Sequence, residues 1–133
     1  MGAVARRSLS LVLLVDDEPD QVEMYQLALE LAGFDVAVAY NGADAITSAR
    51  LCLPAAIVLD IRLPDMSGWD VCAVLKTDPQ TAPIPIIVLT AAASMTLAKQ
   101  AQDAACAAHL MKPCFPDDLT RTVREVIAPP LQA

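Results

Sequence analysis

The stretch Leu11-Val12-Leu13-Leu14-Val15-Asp16-Asp17-Glu18-Pro19 decides the reading of this chain. Five apolar residues run without a break, which suits a strand buried on both faces and is too short for a buried helix. The run stops at two aspartates. Pro19 fits the first turn of a helix, where its missing N–H is not needed. Val22, Tyr25, Leu29 and Ala32 then share one helical face, and Gly33 ends the helix. A strand, an acidic turn and a helix therefore follow one another directly.

The rest of the chain repeats this unit. Phe34 to Tyr40 reads as a second strand, with Val36, Val38 and Tyr40 alternating against Asp35. Asn41-Gly42 is a turn in which Asn41 is a candidate N-cap for a helix carrying Ala45, Ile46 and Ala49. Pro54 closes that helix. Ala55-Ala56-Ile57-Val58-Leu59-Asp60 is a third strand, again ending in an acid, and the loop from Arg62 to Gly68 leads to a helix with Val71, Cys72 and Leu75. Pro85-Ile86-Ile87-Val88-Leu89-Thr90 is a fourth strand. An Ala-rich helix is expected from Ser94 to Ala105, a short fifth strand from Ala107 to Met111, and a last helix with Leu119, Val123, Val126 and Ile127 on its inner face. Apolar strands alternating with helices predict a parallel sheet covered on both faces: an α/β, doubly wound (βα)5 flavodoxin-like sandwich with a five-stranded sheet. One domain over residues 9–128 is expected, between an N-terminal tail (1–8) and a C-terminal tail (129–133).

Composition agrees with one folded domain. The chain has 133 residues, 56% hydrophobic and 19% charged, too apolar for a disordered acidic segment. No apolar run approaches the roughly 20 residues of a membrane span, and no basic region leads into a secretory signal. Nine basic and sixteen acidic residues give a net charge of −7, a field that repels phosphate backbones and argues against direct nucleic-acid binding. Cys52, Cys72, Cys106 and Cys114 form no C-x-x-C pair, and His109 is the lone histidine. Neither a zinc site nor a disulfide framework fits that spacing. Incidental thiols in a reduced, cytoplasmic chain are expected.

The polar residues are phased to the strand ends. In an open parallel sheet, ligands bind beyond the carboxyl ends of the strands. Asp16 and Asp17 end the first strand, Asp60 the third, Thr90 the fourth and Lys112 the fifth. Three clustered carboxylates repel one another unless a cation joins them. Oxygen ligands select a hard ion, so Mg2+, or Mn2+, is the expected cofactor. A carboxylate oxygen left free can attack phosphorus, and a lysine and a hydroxyl opposite can meet the phosphoryl oxygens.

Four segments then carry a family resemblance over essentially the whole chain: L-L-V-D-D-E-P at 13–19, V-L-D-I-R-L-P-D-M-S-G-W-D at 58–70, P-I-I-V-L-T-A at 85–91 and H-L-M-K-P at 109–113. Together, in this order and spacing, they resemble the CheY-like receiver domain of two-component response regulators. The resemblance implies that Asp60 is the phosphoacceptor. It implies that Asp16 and Asp17 hold Mg2+ with Asp60 and the backbone carbonyl of Arg62. It makes Thr90 the switch hydroxyl and Lys112 the partner of the phosphoryl oxygens, and it makes the bond to Pro113 cis. The phosphoryl donor is then a sensor histidine kinase or a histidine phosphotransfer protein. The protein is no enzyme beyond its own phosphorylation and dephosphorylation. The fourth helix, fifth strand and last helix form the face that shifts toward a partner protein, and the last helices are a candidate face for a homodimer.

Some positions depart from the family pattern. His109 stands where many relatives carry Tyr or Phe that turns inward, and its alternative role is that of a partly exposed strand residue. Ala105 replaces a glycine often found after the fourth helix. Arg62 and Ala92 occupy positions that modulate phosphoryl lifetime in the family, and the small Ala91 leaves access to Asp60. Asp65 and Asp70 read as solvated acids, Glu18 as a first-turn acid and Trp69 as a packed aromatic. Two other functions stay open: a phosphorylation-independent interaction module, and a Mg2+-dependent aspartyl phosphohydrolase. The latter commonly has an acid two residues after its nucleophile, where this chain has Arg62.

Overall fold

The computed structural model describes residues 10–91 and 106–127. Five strands, β1 (Leu11–Val15), β2 (Asp35–Ala39), β3 (Ala56–Asp60), β4 (Ile86–Thr90) and β5 (Ala108–Met111), form one parallel sheet in the order β2-β1-β3-β4-β5. The described helices are α1 (Pro19–Leu31), α2 (Gly42–Cys52), α3 (Gly68–Thr77) and α4 (Pro116–Ile127). This is the doubly wound flavodoxin-like sheet expected from the alternation of strands and helices. The Ala-rich helix expected over 94–105, with Ala92, Ala105 and both tails, lies outside the described residues. No described helix is long and apolar enough to cross a membrane.

Because strand side chains alternate, the sheet builds two cores. Leu13, Val15, Ile57, Leu59, Ile86 and Val88 face one side, where Ala45 and Ala49 of α2 and Val71, Cys72 and Leu75 of α3 pack against them. Val12, Leu14, Val58, Ile87 and Leu89 face the other, against Val22, Tyr25 and Leu29 of α1 and Leu119 and Val123 of α4. The three central strands are thus buried on both faces, which is why their sequences are unbroken apolar runs. The Tyr25 hydroxyl adds a polar tie, donating to the Cys114 carbonyl at 3.2 Å and fastening α1 to the segment between β5 and α4.

The second strand departs from the expected alternation. Val36 and Val38 do pack on the α1/α4 side, but Tyr40 is 49% exposed and lies beyond the end of β2. Ala37 and Ala39 supply the opposite core. The strand lies at the sheet edge, and the chain leaves it at Tyr40 to reach Asn41, whose side chain accepts from the Asp44 N–H as the N-cap of α2.

Helix ends follow local chemistry elsewhere. Gly33 has φ +102° after α1, a conformation L side chains rarely adopt. Glu18 is the N-cap residue of α1 but makes no side-chain cap; its own N–H donates to Asp16 Oδ1 at 2.9 Å. The buried Thr81 hydroxyl donates to the Leu75 carbonyl at 2.6 Å, and Lys76 Nζ donates to the carbonyls of Ala82 and Ile84, fixing the turn from α3 to β4.

Gly68 closes the loop that follows Asp60. A Cβ there would lie 2.7 Å from the Asp60 carbonyl oxygen and 2.7 Å from Ile61 Cα. Both are backbone atoms that cannot turn away. Gly68→Ala is therefore expected to destabilise the protein by about 1–3 kcal/mol through overpacking, seen as a lower midpoint in urea unfolding. An unchanged midpoint would show that the loop yields freely.

Candidate functional site

The strand order reverses at β1, with β2 on one side and β3, β4 and β5 on the other. At such a switch point the connections leaving neighbouring strands run to opposite faces of the sheet, which opens a crevice beyond the carboxyl ends. Asp16 follows β1 and Asp60 ends β3, in the adjacent strand. Both are nearly buried, at 1% and 6% exposure, whereas Asp17 is exposed. Carboxylate oxygens of Asp16, Asp17 and Asp60 all lie within 4.8 Å of one another.

Lys112, at the turn after β5, reaches back to this cluster. Its Nζ donates to Asp16 Oδ2 at 2.9 Å and to Asp60 Oδ2 at 3.1 Å. The Lys112 N–H donates to the Thr90 carbonyl at 2.7 Å, which seats the lysine against the end of β4. The Lys112–Pro113 peptide bond is cis. Thr90 itself is 1% exposed and stands opposite Met111 in the β4–β5 register. Asp60 Oδ1 accepts from the Arg62 N–H at 3.0 Å.

Burial raises the Asp60 carboxyl above its ordinary value near 3.8. The Arg62 N–H and Lys112 oppose that rise, and the neighbouring Asp16 adds to it. Burial pulls the Lys112 ammonium down, but its hydrogen bonds and the charges of Asp16 and Asp60 outweigh this, so its value is raised. Three carboxylates against one ammonium leave a formal deficit of two positive charges in the cluster.

A cavity of about 280 Å³ opens onto the cluster, lined by Asp17, Glu18, Gln21, Asp60, Arg62, Ala91 and Lys112. The ligand atoms that the three aspartates offer are all carboxylate oxygens, and they suit a hard divalent cation. Asp16, Asp17 and Asp60 are the residues able to hold one, and Arg62 lines the same space. Ala91 faces the cavity with only a methyl group.

The sequence did not single out Gln21, and it read Asp65 as a solvated acid. Gln21 lines the cavity, and its buried amide oxygen has no hydrogen-bond partner among the described residues. Its place in the first turn of α1, directly after the acids that end β1, is the signal that could have found it. Asp65 is no idle solvated acid. Its carboxylate accepts from the N–H groups of Gly42 and Ala43 at 2.7 and 2.9 Å, and these bonds hold its carboxyl below the usual value. Asp70 is an exposed first-turn acid of α3, and Trp69 packs against the α2/α3 core.

His109 does not enter the cluster. Ala108 and Leu110 pack toward the α1/α4 core, so His109 and Met111 point to the other side, where both are exposed. The cysteines are less incidental than expected. The Cys72 thiol hydrogen-bonds to the Cys106 sulfur; this bond and burial push Cys72 up, and the same bond draws Cys106 down against its own burial.

Comparison with known proteins shows the family. Residues 12–124 match the family described as the response regulator receiver domain. The chain is 37% identical over 113 residues to the DNA-binding response regulator MtrA of Mycolicibacterium smegmatis, covering 85% of this chain and 48% of that protein. It is 33% identical over 116 residues to the DNA-binding dual master transcriptional regulator RpaA of Synechocystis, covering 87% and 48%. The chain thus spans about half the length of these relatives. Among solved structures, a putative response regulator from Chloroflexus aurantiacus superposes with a TM-score of 0.86 at 30% identity, over 92% of this chain and 100% of that one. The chemotaxis response regulator CheY4 of Vibrio cholerae superposes with a TM-score of 0.84 at 27% identity, over 90% and 99%. With a family match over residues 12–124 and the same fold in those solved structures, this chain belongs to the response regulator receiver domains of two-component signalling.

Proposed function

We propose that this domain is a phosphorylation switch in which Asp60 accepts a phosphoryl group from the phosphohistidine of a sensor kinase or phosphotransfer protein. The observation that carries this reading is the convergence of Asp16, Asp17 and Asp60 within 4.8 Å, with Lys112 bonded to two of them. Asp16, Asp17, Asp60 and the Arg62 carbonyl are the groups proposed to hold Mg2+, with Mn2+ as a substitute. Bound there, the ion supplies positive charge that offsets the carboxylates and the phosphoryl oxygens.

The chemistry of the chain's own groups follows. An Asp60 carboxylate oxygen attacks phosphorus; the O–P bond forms as the P–N bond breaks, and the histidine nitrogen leaves with the electron pair. Lys112 then exchanges its Asp60 oxygen for a phosphoryl oxygen while keeping Asp16. The Thr90 hydroxyl closes on the new anion from the end of β4. The proposed response is a shift of residues 94–105, β5 and α4, where Met111 and Phe115 are exposed and offer a partner surface. The domain turns over no external substrate, and its place is the cytoplasm, where such kinases deliver phosphoryl groups. MtrA and RpaA are DNA-binding regulators about twice as long, so any DNA contact is proposed to belong to sequence other than this acidic domain.

Incubation with Mg2+ and acetyl phosphate is expected to add one phosphoryl group to the protein, measured by intact mass. Asp60→Asn abolishes the adduct, chelation of the metal prevents it, and Lys112→Ala slows it roughly 100-fold. An adduct that survives Asp60→Asn would refute the acceptor assignment. Steady hydrolysis of added phosphoesters would favour a phosphohydrolase instead.

The raised Asp60 carboxyl has a signed consequence for the metal-free protein. The folded state holds this proton more tightly than the unfolded state, so stability falls as pH rises from about 3.8 through the raised value. Compared with wild type, Asp60→Asn is expected to flatten that part of the melting-temperature profile. Saturating Mg2+ raises the wild-type melting temperature at neutral pH and has a smaller effect on the variant. Parallel profiles for the two proteins would contradict a destabilised carboxylate at Asp60.

A further inference from the structure

The first N–H groups of a helix have no partner within the helix. In α2 three of them are met by two side chains. Asn41 accepts from Asp44, whereas Gly42 and Ala43 donate to the two carboxylate oxygens of Asp65, at 2.7 and 2.9 Å. Asp65 lies 23 and 22 residues further along the chain, in the loop between β3 and α3. A bidentate, charged cap of this kind is both stronger and more directional than a neutral one.

That loop starts at the candidate site. Arg62, two residues after Asp60, gives its N–H to Asp60 Oδ1, which fixes the peptide between Ile61 and Arg62. The Gly68 N–H donates to the Ile61 carbonyl at 2.8 Å, and Arg62 and Ser67 form an isolated antiparallel bridge. These bonds close the loop upon itself. Ser67 caps the α3 that follows directly, its hydroxyl accepting from the Trp69 N–H at 3.0 Å, whereas the Asp65 pair ties the loop to α2, an element distant in sequence. Arg62 at one side of the bridge lines the acid cavity, and Asp65 stands between Arg62 and Ser67 on the loop's outer arm.

We propose that Asp65 is a positioning residue for the cation site: by clamping the 61–67 loop to the start of α2, it holds the Arg62 backbone carbonyl where it completes the ligand set of Asp16, Asp17 and Asp60. The inference rests on the reading of that cluster as a cation site. Asp65 does not touch the cation. It acts as outer groups act at metal sites, by fixing the orientation of a ligand, whose loss typically weakens binding 10- to 100-fold. Its depressed carboxyl value means that the clamp carries full charge throughout the neutral range.

The test is calorimetric titration of Mg2+ into the wild-type chain, Asp65→Ala and Asp65→Asn at low and high salt, with amide hydrogen exchange on the metal-free proteins. Asp65→Ala is expected to weaken Mg2+ binding roughly tenfold and to speed exchange at Arg62 and Gly68 as well as at Gly42 and Ala43. Asp65→Asn keeps one acceptor without the charge and is expected to recover most of the affinity at both salt concentrations. Equal losses in the two variants that vanish at high salt would assign Asp65 a long-range field effect and overturn the positioning role. A lower melting temperature with unchanged Mg2+ affinity would overturn it as well, leaving Asp65 as a helix cap alone. If Asp65→Ala does not fold, the folded Asp65→Asn protein carries the comparison: affinity within about threefold of wild type with Arg62 exchange preserved is expected, and unchanged affinity with Arg62 exchange accelerated overturns the link. A wild-type chain that binds no Mg2+ refutes the cation site itself, a result distinct from variants that bind as well as wild type.

Discussion

The Lys112 ammonium holds Asp16 and Asp60 together, and three parts of the fold meet in those two hydrogen bonds. Asp16 continues β1, Asp60 ends β3, and Lys112 turns out of β5 on the far side of β4. Each acid is nearly buried, and a lone charge in that setting is costly. The lysine makes the pair tolerable without satisfying it, because Asp17 stands beside them and the Asp60 carboxyl remains raised. The cluster is compact and short of positive charge, held so by a sheet too rigid to let the acids spread apart.

That rigidity comes from the apolar alternation of the strands. Side chains of β1, β3 and β4 fill two separate cores, so a slip of one residue would turn a whole strand's set of side chains to the wrong face. The in-register pairs Val15 with Leu59 and Asp60 with Leu89 therefore set where the acids stand as firmly as their own bonds do. This is also why so much was legible in the sequence. An unbroken apolar run followed by an acid both names the strand and marks its end, and the parallel topology gathers those ends without further information. Asp16, Asp17 and Asp60 could be assigned to one place because they close such runs, and Lys112 because it follows the last strand.

What stayed hidden depends on contacts without local periodicity. Tyr40 continued an alternation that the edge strand does not, since the chain departs to form the cap at Asn41. Asp65 looked like a loop acid because its partners, the Gly42 and Ala43 amides, belong to a helix end more than twenty residues earlier. Thr81 carries no apolar pattern of its own, yet its buried hydroxyl finishes α3. Cys72 and Cys106 come together because α3 and the entry to β5 share one core, a neighbourhood that spacing alone does not encode. For Asp65 and for Cys72, a backbone or thiol group is satisfied from a distant segment.

The bond between Lys112 and Asp16 spans 96 positions of sequence. During synthesis the acids at the ends of β1 and β3 exist long before the lysine does, and a nascent chain holding only the first strands has no means of neutralising them against one another. Long-range pairing of this kind forms late, after the loops between have been closed. A half-made chain therefore cannot assemble the cluster of acids and lysine, and an intact cluster doubles as a certificate that the whole sheet has been built.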